Sequence, residues 1–288
     1  MFGKRTLQKP VSFSGQGVHT GETVRLTIKP SFRGRVVFRR LDLGGVEVEV
    51  DPRKVEALNC SALVFPSGRI LTVEHLLAVL YVLGLDSVEI ELEGGEIPVL
   101  DGSAAPLAQA IMGAGLKTLP DPARAVRILQ SHTVEERGAS LSFSPDPGFR
   151  LSYAIDFPHP LIGRQEITFS LTRKLFLEEI APARTFGFMK DVSALQRRGL
   201  ALGGSLDNAV VLDEEKVINA PLRFPDEFVR HKVLDLIGDL ALFGHPFFGH
   251  FRAERAGHRL HHQAILYLLD HPDLWAYDEE AEPPFLQA

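Results

Sequence analysis

The chain has 288 residues, 45% of them apolar and 24% charged, with a formal net charge of −6. At roughly 150 residues per domain, this length implies about two domains, each able to bury a core, and the composition excludes wholesale disorder. The charge imbalance resides in the six acids of residues 270–288, so a broad phosphate-backbone footprint is excluded and nucleic acid is not an expected partner.

Lys4 and Arg5 near the start are not followed by an apolar h-region, so no signal peptide is expected. Strand-like stretches come first: VRLTI (24–28), RVVF (35–38) and VEVEV (46–50), with Gly, Pro and Asp between them. Cys60 stands alone, which excludes an intrachain disulfide and a Cys-rich zinc site. LTVEHLLAVLYVLGL (71–85) predicts a helix, with Thr72 as N-cap and Gly84 as the stop. Its apolar run, Leu76 to Leu85, is about half of a membrane span, so no transmembrane segment is expected. SVEIELE (87–93) alternates as a half-buried strand, SAAPLAQAIMGAG (103–115) predicts a second helix, and LPDPAR (119–124) predicts a linker.

The second half opens on strands again: AVRILQ (125–130), ASLSFS (139–144), FRLSYAIDF (149–157) and QEITFSL (165–171). A helical piece at 172–180 and an inserted helix with a Gly-rich loop (190–205) precede a strongly amphipathic helix, DEFVRHKVLDLIGDLALFG (226–244). HFRAERAG predicts a strand and turn, HRLHHQAILYLL (258–269) the last helix, and the acidic remainder, 270–288, a flexible tail. EHLLAVLYVLG and RHKVLDLIGDLALFG occupy matching places in the two halves, with His75 opposite His231. That order of elements predicts an internal duplication: α+β, two similar two-layer domains (1–121 and 125–269) with a site between them.

The chemistry concentrates in the two matching helices. His231, Asp235 and Asp239 stand at i, i+4 and i+8, which drift by only about 40° per step on a helix and so share a face. A His and an Asp one turn apart can hold one cation, although a charged helix face also carries such pairs by chance. Glu74-His75 adds a carboxylate and an imidazole at the start of the other helix. A core histidine beside a solvated first-turn glutamate is the bland alternative. Taken together, His75, His231 and Asp235 form a His₂Asp set with a fourth corner free, the open geometry of a catalytic zinc site. Such a zinc acidifies its water to a pKa of about 7, and Glu74 could take the proton. His258, at a predicted strand-to-helix turn, could face the same cleft. Thr185 beside Phe186 could offer a hydroxyl, and Lys232 could anchor an anion. His261 and His262 are expected to be exposed and without a role. His-Glu-x-x-His is absent, and the inverted peptidase form would need a histidine where Thr72 stands.

TVEHLLAVLYVLGLDSVEIEL, EIPVLDGSAAP, IAPARTFGF, GGSLDNAVV, VRHKVLDLIGDL, AGHRLHHQ and the opening GQGVHTGE resemble, in this order, the LpxC family of UDP-3-O-acyl-N-acetylglucosamine deacetylases, over roughly residues 1–269. The resemblance implies one zinc per chain on His75, His231 and Asp235, with Glu74 as general base and His258 as general acid or electrostatic stabiliser. It also implies Thr185 at the oxyanion, Asp239 orienting His258, and Lys232 at a substrate phosphate, with Phe186 and His19 as further substrate contacts. A βαβ insert near 188–212 is implied to form an acyl passage walled by Leu200 and Leu202. The chain departs from the family in GHRLHHQ, where His261 replaces a frequent Asn. The implied protein is a cytoplasmic monomer acting on UDP-3-O-acyl-N-acetylglucosamine in lipid A biosynthesis. A zinc hydrolase of another substrate, a catalytically dead sugar-nucleotide or lipid binder, and a metal-free scaffold are the rival readings.

Overall fold

A computed structural model describes residues 2–219 and 221–287. The first sheet contains β1 (Val11–Gln16), β2 (Thr23–Pro30), β3 (Val36–Arg40), β4 (Val46–Glu49) and, after helix α1 (Glu74–Leu83), β5 (Val88–Glu93). Its order is β1-β2-β5-β3-β4, antiparallel throughout except for the parallel pair β3/β5. Helix α2 (Ala105–Ala114) follows, opened by Pro106, whose missing N–H costs nothing in the first turn.

The second sheet contains β6 (His132–Glu136), β7 (Ala139–Ser144), β8 (Phe149–Phe157) and β9 (Gly163–Ser170). After helix α3 (Glu227–Ala241) comes β10 (Phe247–Glu254), then helix α4 (His258–Asp270). The order β6-β7-β10-β8-β9 repeats the first sheet strand for strand, with β8/β10 as the parallel pair. Ala125–Ile128 and Trp275–Asp278 extend this sheet at the start of β10. The architecture is α+β, and each five-strand unit is accompanied by two helices.

Alternation decides the strands: β5 buries Val88, Ile90 and Leu92 and turns Glu89, Glu91 and Glu93 outward. Helix α1 is apolar on nearly every side, and every residue of it except Tyr81 is buried, as an all-round apolar helix requires. It ends where Gly84 adopts φ 69°, a left-handed position that closes the last turn. Helix α3 packs along α1, so the two matching helices form the centre of the molecule.

Four expectations are corrected. Thr72 is not the cap of α1: its φ is 59°, its hydroxyl donates to Glu96 Oε1 at 2.9 Å, and the helix starts two residues later. The expected linker is largely strand, because Leu116–Pro122 pairs with Gly3–Leu7. The tail is not flexible: Trp275–Asp278 pairs with Ala125–Ile128, and Phe285 and Leu286 are buried, with Phe285 stacked on Tyr81. His261 and His262 are buried rather than exposed. A local pattern cannot show which face of a helix a second helix covers.

Just beyond α1, Asp86 accepts a hydrogen bond from Arg5 N at 2.8 Å. Burial pushes its pKa up to about 6 against the help of that bond and of Lys4. The folded state therefore holds this proton more tightly than the unfolded chain, so the contribution to stability is lost as pH rises from about 4 through 6. Asp86→Asn is expected to be more stable than the parent at pH 8, by about 3 kcal/mol, with the gap closing towards pH 4. Denaturant unfolding at the two pH values checks this, and a pH-independent gap would contradict it.

Candidate active site

The site forms where α1 crosses α3. A Cβ on Gly238 would lie 2.0 Å from the carbonyl oxygen of Glu74, so only glycine permits this approach. The crossing places the first turn of α1, with Glu74 and His75, against the buried face of α3 that carries His231, Asp235 and Asp239. Strand β10 then leads, through Gly257, into α4, whose first residue is His258.

His75 Nε2 lies 3.6 Å and His231 Nε2 3.4 Å from Asp235 Oδ1. One ligand atom from each of these three buried residues lies within 4.8 Å of the others. The chemistry of this donor set suits a divalent ion. Burial lowers the pKa of His231 to about 4, so the ring is neutral. Its Nδ1 faces Ala183 O at 3.1 Å, which leaves Nε2 for the centre. Burial would raise the pKa of Asp235, but Lys232, His231 and His75 outweigh it and keep the group ionised. Neutral imidazole and ionised carboxylate are the ligating forms. Lys232 Nζ donates to the other oxygen, Asp235 Oδ2, at 2.6 Å, so its ammonium is engaged by a member of the cluster.

A second cluster adjoins the first. Asp239 Oδ2 accepts from His258 Nδ1 and His261 Nδ1, both at 2.7 Å. Its Oδ1 accepts from the Ser61 hydroxyl. Burial alone would raise the pKa of Asp239; His258, His261 and His262 hold it well below the usual carboxylate range. Burial would likewise lower that of His258, yet Asp239, Asp235 and Glu74 raise it to about 9. His258 is therefore a cation at neutral pH, with Nε2 3.9 Å from Glu74 Oε1 and 3.8 Å from Asp235 Oδ2. Burial raises the pKa of Glu74, whose Oε2 accepts from Ser61 N at 3.1 Å.

Thr185 is half-buried, its N–H donating to Gly102 O and its carbonyl accepting from Val210 N, both at 2.8 Å. The Phe186 ring meets the His231 ring edge-on at 6.1 Å. Phe186–Phe188 and Val210–Leu212 are parallel strands joined across the helix Met189–Arg197, which is the βαβ insert. The insert is joined to the first half where Leu202 N donates to His19 O at 3.0 Å. His19 is buried and its loop is held by Glu96, which accepts from His19 N at 2.9 Å and from Thr20 N at 2.8 Å. Leu200 is buried, whereas Leu202 is 51% exposed.

Sequence reasoning missed Ser61, His261, His262, Glu96 and Gly238. The i, i+3, i+4 spacing of His258, His261 and His262 was the available signal for two of them, since it places all three towards one side of α4.

The family model for UDP-3-O-acyl N-acetylglycosamine deacetylase, LpxC, matches residues 4–270. Curated relatives named UDP-3-O-acyl-N-acetylglucosamine deacetylase include one from Acidithiobacillus ferrooxidans, 43% identical across 98% of this chain and 95% of the relative. One from Chromobacterium violaceum is 41% identical across 98% and 95%. One from Nitratidesulfovibrio vulgaris is 43% identical across 97% and 91%.

Gly238→Ala is expected to force α1 and α3 apart and lower stability by about 2 kcal/mol, the usual cost of overpacking. Because Glu74 and His75 follow the Glu74 carbonyl, zinc affinity should fall with it. Denaturant unfolding and zinc titration check both, and unchanged affinity in a destabilised variant would show that the crossing does not set the ligand geometry.

Proposed function

The chain belongs to the LpxC family of UDP-3-O-acyl-N-acetylglucosamine deacetylases, and on that premise we propose how its residues carry the reaction. The substrate is UDP-3-O-acyl-N-acetylglucosamine. Its N-acetyl amide is hydrolysed to acetate and the free amine, an early committed step of lipid A biosynthesis. The observation that carries the residue-level reading is the facing pair Glu74 Oε1 and His258 Nε2 beside the buried His75, His231 and Asp235.

One zinc ion per chain would be held by His75, His231 and Asp235, and when bound it acidifies water and polarises the amide carbonyl. Glu74 is the general base. Its Oε2 is tied to Ser61 N, so Oε1 is the oxygen that takes the proton of the attacking water. Burial favours its protonated form, which makes it a stronger base than an exposed glutamate. His258 faces the same space as a cation, held by Asp239 through Nδ1, with Nε2–H directed inward. Its charge favours the oxyanion that develops on the amide. Two groups can then protonate the departing amine: His258 Nε2–H and the newly protonated Glu74. The Thr185 hydroxyl supplies a further hold on the oxyanion.

Lys232 balances the buried charge of Asp235 and offers its remaining N–H donors to a substrate phosphate. Phe186 and His19 flank the sugar nucleotide. The insert, with Leu202 as its exposed wall and Leu200 behind it, takes the acyl chain. The twice-used strand order supports two duplicated domains, 1–121 and 125–269, with the site between them. No described helix is long and apolar enough to cross a membrane, and a cytoplasmic monomer belongs to the same reading.

Glu74→Ala is expected to lower kcat by about 10²–10⁴, the usual worth of a general base, while zinc content stays that of the parent. Assay with the acylated UDP-sugar beside metal analysis checks this, and the non-acylated analogue should react far more slowly. Parental activity in Glu74→Ala, or equal rates on both substrates, would contradict the reading.

A further inference from the structure

Ser61 opens the short strand Ser61–Phe65, the middle strand of a three-stranded piece with Val55–Ala57 and Gly68–Ile70. The residue is completely buried, and each of its polar atoms has a partner. Its N–H donates to Glu74 Oε2 at 3.1 Å, and its carbonyl accepts from Val73 N at 3.2 Å. Its hydroxyl touches Asp239 Oδ1 and lies 2.8 Å from His262 Nε2 and 3.4 Å from His258 Nδ1, a longer contact than the 2.7 Å from that nitrogen to Asp239 Oδ2.

The directions of these bonds follow from the charges. Asp239 is ionised and can only accept, so the single Ser61 hydroxyl proton goes to Oδ1. The Ser61 oxygen then accepts from His262 Nε2–H. His262 Nδ1 is buried and without a partner among the described residues. With Oδ1 held by Ser61, Oδ2 is left to His258 and His261. Oδ1 also lies 3.5 Å from His262 Nε2.

We propose that Ser61 is a positioning residue for the deacetylation, fixing Glu74 through its backbone N–H and His258 through its hydroxyl and Asp239. The inference rests on the reading of Glu74 and His258 given above. It assigns to one residue the relative placement of two groups that belong to different elements, the start of α1 and the start of α4. The two arms are separable by chemistry. Alanine at position 61 keeps the N–H to Glu74 and removes only the hydroxyl, so the Asp239 carboxylate loses a fixed partner and the His258 ring loses its fixed orientation.

The test uses the full-length zinc enzyme and its Ser61→Ala, Ser61→Thr, Asp239→Asn and Ser61→Ala/Asp239→Asn variants. Ser61→Ala should lower kcat about tenfold, the worth of one hydrogen bond to a charged group, with KM and bound zinc unchanged. Ser61→Thr, which keeps a hydroxyl, should restore most of kcat. In the Asp239→Asn background, Ser61→Ala should cost nothing further, because its action passes through Asp239. Parental kcat in Ser61→Ala would overturn the proposal, and so would losses that multiply in the double variant. A fall in Tm and zinc content that tracks the fall in kcat, unrelieved by threonine, would reduce Ser61 to a structural role. A parent enzyme without deacetylase activity would overturn the underlying reading instead, which keeps the two failures apart.

Discussion

The close crossing of α1 and α3 at Gly238 is the constraint from which the site follows. It brings three buried carboxylates, Glu74, Asp235 and Asp239, close together. Buried like charges of this kind are costly unless they are compensated, and the surrounding side chains supply the compensation. Lys232 and the neutral His231 attend Asp235, while His258, His261 and Ser61 attend Asp239. Glu74 receives a single backbone N–H and remains the least stabilised anion of the three. The same imbalance sets the chemistry. In the proposed mechanism Glu74, with Oε1 left free, serves as the base, and His258, tied to Asp239, is the cation.

The twofold use of one topology explains why the cluster is assembled from both halves. In each half the parallel strand pair is joined by a connection that ends in the central helix, and those two helices pack on one another. Each then contributes a histidine, His75 or His231, at the matching place. The βαβ insert breaks the symmetry. It lies between β9 and α3 and is hydrogen-bonded to the His19 loop of the first half.

Much of this was legible in the sequence because it depends on local periodicity. Strand β8 runs over the same nine residues that alternation marks, and α4 begins at His258 as expected. The i, i+4, i+8 spacing on α3 places His231, Asp235 and Asp239 on one face before any coordinates are known. What escaped depends on contacts distant in sequence. Ser61 reaches Asp239 across 178 positions, and nothing in Asn59-Cys60-Ser61 marks such a partner. His261 and His262 read as surface residues because their helix is polar at its start, yet Tyr153 and Asp239 enclose that turn. Pro120 and Pro122 suggest a linker. The pairing of Leu116–Pro122 with Gly3–Leu7 is compatible with them because an edge strand tolerates residues that cannot donate.

The central claim is that residues from the two halves hold one divalent ion between them. Anomalous diffraction at the zinc edge, from crystals of the zinc-loaded protein, tests it most directly. The account predicts one strong site per chain, with His75 Nε2, His231 Nε2 and an Asp235 oxygen within about 2.0–2.2 Å of it. An ion bound without His75, or bound on the Asp239, His258 and His261 cluster instead, would contradict it.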